Sequence, residues 1–422
     1  MTKAVFGITL AAVGMVCHGS VLSAQVNQQL AAQYFQEAQA LCERDGGKLW
    51  GVSICAPMVI YDRATQTIAT SHPQPPGPLP APLGFVNAPL KWGDTTWAAF
   101  VWDYFTDRPV RRRKELFLHE MFHGVQGRLG VAAPSLSSEH LDAAEGRYWL
   151  RLEWRALDRA LSTSGEERRA AVRDALTFRH ARRLLFQGGA ESERAQEITE
   201  GLAAYTATVL VADAPADAIA SARDLLIVTG APEESFVRTF AYLSGPAYGV
   251  LLDAASPGWP RRVRSTDDLG TLLASALQVE LAANPSAAAL AHGGAEVRAS
   301  EELREQRQRQ HLAGLRRRFV DGPVLIIRGG GSASSDSRGA VVIEGAGTVY
   351  FGAYRATVAS GSLEAENGVL VASNGGSRQV PAPVLRDERT IIGDGWTFRV
   401  SPGWMVRPGP RQGDFELVER RE

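Results

Sequence analysis

Long hydrophobic runs are largely missing from this sequence. Beyond the N-terminal residues, no part of the 422-residue chain reaches the roughly 18 uninterrupted apolar residues that a membrane-spanning helix needs. An excess of charge is also missing. The formal net charge is −1, which excludes the strongly basic surface typical of nucleic-acid-binding proteins. With 45% hydrophobic and 22% charged residues, the composition is that of a globular protein with room for two or three domains.

The one apolar stretch lies at the N-terminus and indicates a secretory signal peptide over residues 1–24. Lys3 precedes an apolar segment at 4–17, and small residues follow around Ser23 and Ala24. This order is typical of a signal peptide, and the apolar segment is too short for a spanning helix. We therefore expect the mature protein to be exported, either to a periplasm or out of the cell.

Cysteine is scarce, since the chain has three and the first lies inside the predicted signal peptide. Cys42 and Cys55 would remain as a pair in an oxidising compartment, where such pairs commonly form disulfides. We expect a Cys42–Cys55 disulfide that stabilises the protein by roughly 3 kcal/mol through the small loop it closes. Two free buried thiols are the alternative.

A five-residue motif at 119–123, His-Glu-Met-Phe-His, carries the clearest chemical information in the chain. Apolar residues recur at helical spacing over 114–129, and Gly130 follows in the position of a C-terminal cap. Residues four apart share one helix face, so His119 and His123 could bind one Zn²⁺ through their imidazoles, with Glu120 beside the attacking water. The alternative is a chance pattern of solvated polar residues.

The pattern before this motif predicts one helix and a small sheet. The helix covers 25–44 and is stopped by two glycines, and a Pro-rich stretch at 71–82 reads as an extended loop. The predicted strands are 48–54, 57–61, 66–70 and 95–102.

The rest of the chain divides into a helical and a β-rich part. Predicted helices are 141–161, 166–186, 191–211, 216–228, 233–243, 247–254, 267–282 and a charged connector at 301–318. Predicted strands of the last part are 324–328, 340–344, 348–351, 369–372, 396–400 and 415–418. We expect an α+β protein with a mainly helical domain at 25–318, which includes the small N-terminal sheet, and an all-β domain at 319–422.

A third metal ligand is expected from another element, because catalytic zinc usually keeps three protein ligands. Residues 197–206 read Glu-Ile-Thr-Glu-Gly-Leu-Ala-Ala-Tyr-Thr. Together with the HExxH motif, this segment resembles the gluzincin zinc peptidases, in which a second helix with an E-G-x-A-type signature presents its Glu to the metal. The resemblance covers 116–127 and 196–206, implies a zincin-like catalytic domain, and makes Glu200 the third ligand.

The spacing departs from that resemblance and leaves rivals to Glu200. Glu200 lies 77 positions after His123, a wider gap than in the best-known gluzincins, and a large helical insertion would explain it. Glu145, Glu153 and His140 lie inside this insertion. Glu153 is the strongest rival, since it is an acid on an otherwise apolar helix face, although it also reads as a buried partner for an arginine.

The expected chemistry is hydrolysis in which Glu120 acts as general base. An oxyanion donor besides the metal is needed, and we assign it to Tyr248, in a Tyr-rich stretch at 242–249 that reads as a helix break; packing of its ring in the core is the alternative. Asp142 and Glu197 are candidates for carboxylates that accept a hydrogen bond from a ligating imidazole. Gln126, one turn beyond Glu120 and His123 on nearly the same face, is a candidate for orienting the substrate.

The sequence thus predicts an exported zinc-dependent hydrolase. The peptide bond as its target follows from the gluzincin resemblance, so that the expected partner is a peptide or protein substrate. The second hypothesis is a non-catalytic, metal-stabilised binding or structural protein whose β-domain engages a glycan or a protein. Glu120 discriminates between the two, because a purely structural metal site has no use for a carboxylate beside the water.

Overall fold

The computed structural model describes residues 26–63, 65–77, 80, 87–105, 107–228, 235–335, 339–387 and 389–420. The predicted signal peptide lies outside this range. None of the described helices is both long and apolar enough to cross a membrane. Two compact units make up the chain, Met1–Ala299 and Ser300–Glu422. Helices predominate in the first unit, which also contains a small sheet, and sheets predominate in the second, which confirms the α+β layout.

The first unit begins with helix α1, Gln28–Asp45, which Asn27 caps by accepting a hydrogen bond from the Leu30 amide. The helix ends where Gly46 adopts a left-handed conformation that costs glycine little. Cys42, on the last turn of α1, is bonded to Cys55, with 5.4 Å between the two Cα atoms. The expected disulfide is confirmed, and it ties α1 to the segment that leads into the first strand.

A four-stranded sheet follows, with the strand order β2-β1-β4-β3. The strand predicted at 48–54 is wrong, because left-handed glycines, Gly47 and Gly51, turn the chain there. β1 pairs in parallel with β4, and the other two pairings are antiparallel. The strands are β1 Met58–Tyr61, β2 Ile68–Thr70, β3 Ala88–Trp92 and β4 Thr95–Val101, of which β3 was not predicted.

Helices form the remainder of the first unit. Most of them overlap the predicted ranges. One helix near 285–291 was not predicted, and the break expected at 244–246 is absent. The helix predicted at 191–211 is divided by a π-helical turn, the helix predicted from 233 begins at Phe240, and the helix predicted from 301 begins at Gly294. The helices are α2 Val110–Gln126, α3 Ala144–Ser162, α4 Gly165–Leu185, α5 Gly189–Gln196, α6 Leu202–Val211, α7 Pro215–Val228, α8 Phe240–Ala255, α9 Leu269–Leu277, α10 Pro285–Ala291 and α11 Gly294–Arg316. The last of them passes the division at Ala299.

Helix α8 runs without interruption through Pro246, so the predicted break at this position is wrong. Proline removes one helical hydrogen bond and usually disfavours a helix interior. Here the apolar surroundings outweigh that cost, since nearly every residue from Phe240 to Leu252 is buried. Buried backbone amides and carbonyls need hydrogen-bond partners, and the helical conformation provides them for every residue except the proline, so burial favours a continuous helix.

The second unit contains two sheets. Their strand orders are β13-β14-β15-β10-β9-β6 and β16-β17-β5-β12-β11-β8-β7, and the described pairings are antiparallel except that of β17 with β5. Leu325, Leu363, Val380 and Phe398 lie in its core. The strands are β5 Val324–Arg328, β6 Gly331–Ser335, β7 Gly339–Ile343, β8 Gly347–Phe351, β9 Tyr354–Val358, β10 Gly361–Ala365, β11 Val369–Ala372, β12 Ser377–Pro381, β13 Leu385–Arg386, β14 Thr390–Gly393, β15 Trp396–Val400, β16 Trp404–Pro408 and β17 Phe415–Glu419.

Candidate metal centre

Helix α2 carries His119, Glu120 and His123 on a turn that is almost completely buried. Leu118, Met121, Phe122 and Val125 anchor the helix in the core of the first unit. The side chain of His119 is 9% exposed and that of His123 is 13% exposed. The packing of these apolar residues fixes the position of α2, and the four-residue spacing places both imidazoles on one side of the helix, largely shielded from solvent.

A π-helical turn, Glu197–Gly201, joins α5 to α6 and brings Glu200 to the two imidazoles. Glu200 Oε2 lies 3.2 Å from His119 Nε2 and 3.5 Å from His123 Nε2. The two Nε2 atoms are themselves 3.0 Å apart. Single π turns of this kind are rare and occur frequently at functional sites, because they change the direction of one side chain within a helix.

The donor set of this trio suits zinc. Ligand atoms of His119, His123 and Glu200 lie within 4.8 Å of one another, and among the described residues this is the group of three that could hold an ion. Two imidazole nitrogens and one carboxylate oxygen are the ligands that catalytic zinc sites commonly have. Three such ligands leave a coordination position open for a reactant.

The rival ligands lie elsewhere and have partners of their own. Glu145 binds Arg298. His140 Nε2 lies 2.8 Å from Glu193 Oε1. Glu153 is fully buried and accepts hydrogen bonds from Arg182 and Arg179. The structure therefore brings Glu200, and none of these three, to the two imidazoles.

Gln126 links the two halves of the site. The His123 Nδ1 atom lies 2.9 Å from Gln126 Oε1, and because a carbonyl oxygen can only accept, Nδ1 is the protonated nitrogen. This leaves His123 Nε2 with its lone pair directed at the trio. The Gln126 amide also donates to the carbonyls of Ile198, at 2.9 Å, and Thr199, at 3.0 Å, inside the π turn. Our expectation that Gln126 orients a substrate gives way to this role in holding the ligands.

Two glycines allow α8 to approach the π turn closely. A Cβ atom on Gly245 would lie 2.3 Å from the Cα atom of Gly201, and a Cβ atom on Gly201 would lie 3.2 Å from that of Gly245. A side chain at Gly245 would clash with the backbone of Gly201, whereas a side chain at Gly201 would be tight and would require α8 to shift slightly. Packing therefore explains why a glycine, Gly201, follows Glu200 in the E-G-x-A-type signature: the absence of a side chain there allows α8 to lie close to the site.

The close approach brings Tyr242, rather than Tyr248, to the trio. The Tyr242 hydroxyl donates to Glu200 Oε2 at 2.6 Å, and its ring stacks on that of His119 with 5.2 Å between the centroids. Tyr248 is fully buried, and its hydroxyl donates to Glu153 at 2.6 Å. The assignment of Tyr248 as oxyanion donor is wrong in this respect, because six residues along an uninterrupted helix place the two phenols on different sides.

The electrostatics act in different directions on the groups of the trio. Burial alone would lower the pKa of His123, but its hydrogen bond with Glu200 and the negative charge of that carboxylate outweigh this and raise it. Burial lowers the pKa of His119, which favours its neutral form. Burial alone would raise the pKa of Glu200, but its hydrogen bonds with His119 and His123 outweigh this and hold it well below the usual range. Burial raises the pKa of Glu120 to about 7. Neutral imidazoles and ionised carboxylates are the forms that bind metal.

Behind the π turn lies a buried ion cluster. Arg179 binds Glu197 through both carboxylate oxygens, with 2.7 Å between Nη1 and Oε1, and Arg182 Nε donates to Glu193 at 2.7 Å. Glu197 therefore faces this cluster, not the trio, and Asp142 accepts hydrogen bonds from Ser235 and the amide of Phe236. The cluster consists of Glu153, Arg179, Arg182, Arg183, Glu193, Glu197 and Asp268.

A cavity of about 370 Å³ opens beside His119, Glu120 and Tyr242. Comparisons with family models, with curated proteins and with solved structures found no match. The function is therefore inferred from the geometry of this site and from the chemistry of its residues.

Proposed function

We propose that this protein is an exported, zinc-dependent hydrolase of the gluzincin-like type, and that it cleaves peptides. The observation that carries the proposal is the convergence of His119, His123 and Glu200, whose ligand atoms meet although Glu200 lies 77 positions along the chain from His123. The peptide bond as target follows from the resemblance of the two motifs to gluzincin peptidases. The Cys42–Cys55 disulfide supports export to an oxidising compartment.

Zinc would be held by His119 Nε2, His123 Nε2 and a carboxylate oxygen of Glu200. When bound, it would polarise the scissile carbonyl and make water more acidic. Gln126 keeps the proton of His123 on Nδ1, away from the ligand nitrogen. Arg179 and the rest of the buried ion cluster hold the helix that presents Glu200.

Glu120 supplies the base. Its carboxylate follows His119 directly, is nearly buried, and accepts no hydrogen bond from any residue that the structure describes. The proton of the attacking water would pass to a Glu120 oxygen and then to the departing amine.

Tyr242 supplies the hydrogen-bond donor for the oxyanion that develops on the carbonyl. Its hydroxyl lies at Glu200, and the same side chain lines the cavity together with Glu120. Burial, followed by the negative charge of Glu200, raises the pKa of Tyr242, so the phenol keeps its single proton. That proton is donated to Glu200 in this structure, so the hydroxyl would turn from Glu200 to the oxyanion when substrate binds.

The binding-protein hypothesis explains the trio but not Glu120. Partial removal of a carboxylate from water costs free energy, as the raised pKa of Glu120 indicates, and a protein that needs only a structural metal gains nothing from this carboxylate. We therefore favour the hydrolase.

The test is to measure zinc content and cleavage of a mixed peptide library before and after treatment with a chelator. We expect one zinc ion per chain, cleavage that stops when zinc is removed, and recovery when zinc is added back. The control is His123→Ala, which removes a ligand and should neither hold zinc nor recover. Stoichiometric zinc in a protein that cleaves no peptide would favour the binding protein instead.

A further inference from the structure

The cavity beside the trio has the size of a subsite for one amino-acid residue or a little more. Its volume is about 370 Å³, which lies in the lower part of the range for ligand pockets. His119, Glu120 and Tyr242 form one of its walls, so a group that fills the cavity would lie next to the base and to the proposed oxyanion donor.

Several of the side chains that line the cavity are small or apolar, and the two alanines among them are buried. Ala204 and Ala207 of α6 face it, together with Leu116 of α2 and Leu225 of α7. Alanine at two positions one turn apart leaves the space that longer side chains would fill. An apolar side chain bound here would remove its surface and that of these walls from water, which is the main source of affinity in such pockets.

The rim of the cavity carries positive charge that the protein itself does not neutralise. Glu115 is bound by Arg112, at 2.8 Å, and Arg111, at 3.0 Å, so this acid is already paired twice. Arg108 also lines the cavity, is half-buried, and forms no ion pair with any residue that the structure describes. Its guanidinium is 6.0 Å from the ring centroid of Tyr104, another rim residue.

We propose that this cavity binds the C-terminal residue of a peptide, with its apolar side chain against Ala204 and Ala207 and its free carboxylate at Arg108. Arginine is suited to this task because its planar guanidinium matches a carboxylate with two parallel hydrogen bonds. This inference rests on the proposed function and makes the protein a carboxypeptidase. Water adds its oxygen to the carbonyl carbon, the C–N bond breaks, the amine takes a proton, and the products are a shortened peptide acid and a free amino acid.

The first test compares hydrolysis of an N-acyl-glycyl-phenylalanine with that of the corresponding C-terminal amide. We expect kcat/KM to be about tenfold or more higher for the acid, since a hydrogen bond to a charged group contributes about 1.5–3 kcal/mol. Arg108→Gln should abolish this preference. The matched control is Arg128→Gln, which removes the same charge from an exposed position that does not line the cavity. Replacing phenylalanine by aspartate or lysine should lower kcat/KM.

The second test does not depend on catalysis. Calorimetry on the metal-free protein should show that N-acetyl-phenylalanine binds about tenfold more tightly than its amide, and Arg108→Gln should remove the difference while Arg128→Gln keeps it. Cleavage of peptides with no preference for the free acid in either test would overturn this inference and leave the hydrolase standing. A binding preference in a zinc-loaded protein without cleavage would support the subsite and overturn the hydrolase. Equal loss in both arginine variants would also overturn the subsite.

Discussion

Glu200 is the residue that completes the candidate three-ligand site with the two histidines of α2. Its Oε2 atom lies near both Nε2 atoms and also accepts a hydrogen bond from the Tyr242 hydroxyl. The His-Glu-x-x-His pattern predicts the first half of the site from local geometry, because helical spacing alone places His119 and His123 together. Glu200 can be predicted only from its motif, because the residues around each acid between 139 and 200 do not show which of these acids lies next to α2 in the folded protein.

Glu200→Ala should lose zinc, whereas Glu145→Ala should keep it. The first variant removes a ligand atom, and two imidazoles alone hold zinc weakly. Glu145 is a matched control because it is an acid whose partner, Arg298, lies away from the trio. Metal analysis after dialysis against zinc-free buffer gives the comparison. Retention of zinc by Glu200→Ala would move the third ligand elsewhere.

Gln126→Leu should lower zinc affinity about 10- to 100-fold, because groups that orient metal ligands commonly have effects of this size. The variant loses the acceptor for His123 Nδ1 and the donor to the π turn that carries Glu200. Competition with a coloured chelator measures the affinity, and thermal melting of the metal-free protein separates it from stability. Gln33→Leu, which removes an exposed amide bonded to Glu37, is the control. A lowered melting temperature with unchanged zinc affinity would reduce Gln126 to a structural role.

Tyr242 shows why part of the site could not be predicted from the sequence. A proline and two glycines between 242 and 249 indicate a broken helix, and in a broken helix either tyrosine could face the site. The structure keeps the helix intact because Gly245 packs directly against Gly201, a contact between residues 44 positions apart. Contacts of this kind depend on how helices pack and leave no local pattern.

At the scale of elements, the buried ion cluster holds α3, α4 and the helix that ends in the π turn. Arg182 reaches Glu153 on α3 and Glu193 on α5, and all three side chains are fully buried. The sequence indicated one such pairing for Glu153, but not its extent. Most helices were predicted because they are long enough for the spacing of apolar residues to repeat over several turns. Short strands such as β3 have too few residues for an alternating pattern to be recognised.

Arg182→Met should destabilise the first unit by about 3–5 kcal/mol, because the buried charges of Glu153 and Glu193 both lose the arginine that joins them and keep only their remaining partners. The matched control is Arg159→Met, which breaks the exposed pair with Glu167 and should cost at most about 1 kcal/mol. Chemical denaturation of the two variants beside the wild type measures both differences. Equal effects of the two substitutions would show that the buried ion cluster contributes no more than a surface pair.

At the scale of the whole molecule, the two compact units have separate hydrophobic cores. One core lies among the helices and the small N-terminal sheet, and another lies between strands of the β-rich unit. The change in composition near residue 318 predicts two parts of the chain, whereas the two compact units divide earlier, at Ala299, inside α11. The pairing order of the thirteen strands could not be predicted, because it depends on contacts between segments far apart in the chain.

Calorimetry should resolve two unfolding transitions, and added zinc should raise the temperature of one of them. A ligand stabilises the unit that binds it by RT ln(1 + [L]/Kd), so a hundredfold excess over Kd contributes about 2.7 kcal/mol. Phe398→Ala, a substitution in the core of the β-rich unit, should lower the other transition and leave the zinc-dependent one in place. A zinc shift of both transitions together would contradict a metal site confined to the first unit.

The most direct test of the central claim is to measure zinc stoichiometry and peptide cleavage on the same preparations of wild-type protein and Glu120→Gln. Glutamine matches the shape of the carboxylate but cannot accept the proton of water, and general-base assistance is worth about 10²- to 10⁴-fold. We expect one zinc ion per chain in both proteins and a cleavage rate lower by about this factor in the variant. A zinc-loaded Glu120→Gln protein with wild-type activity would contradict the account, because the base would then lie elsewhere.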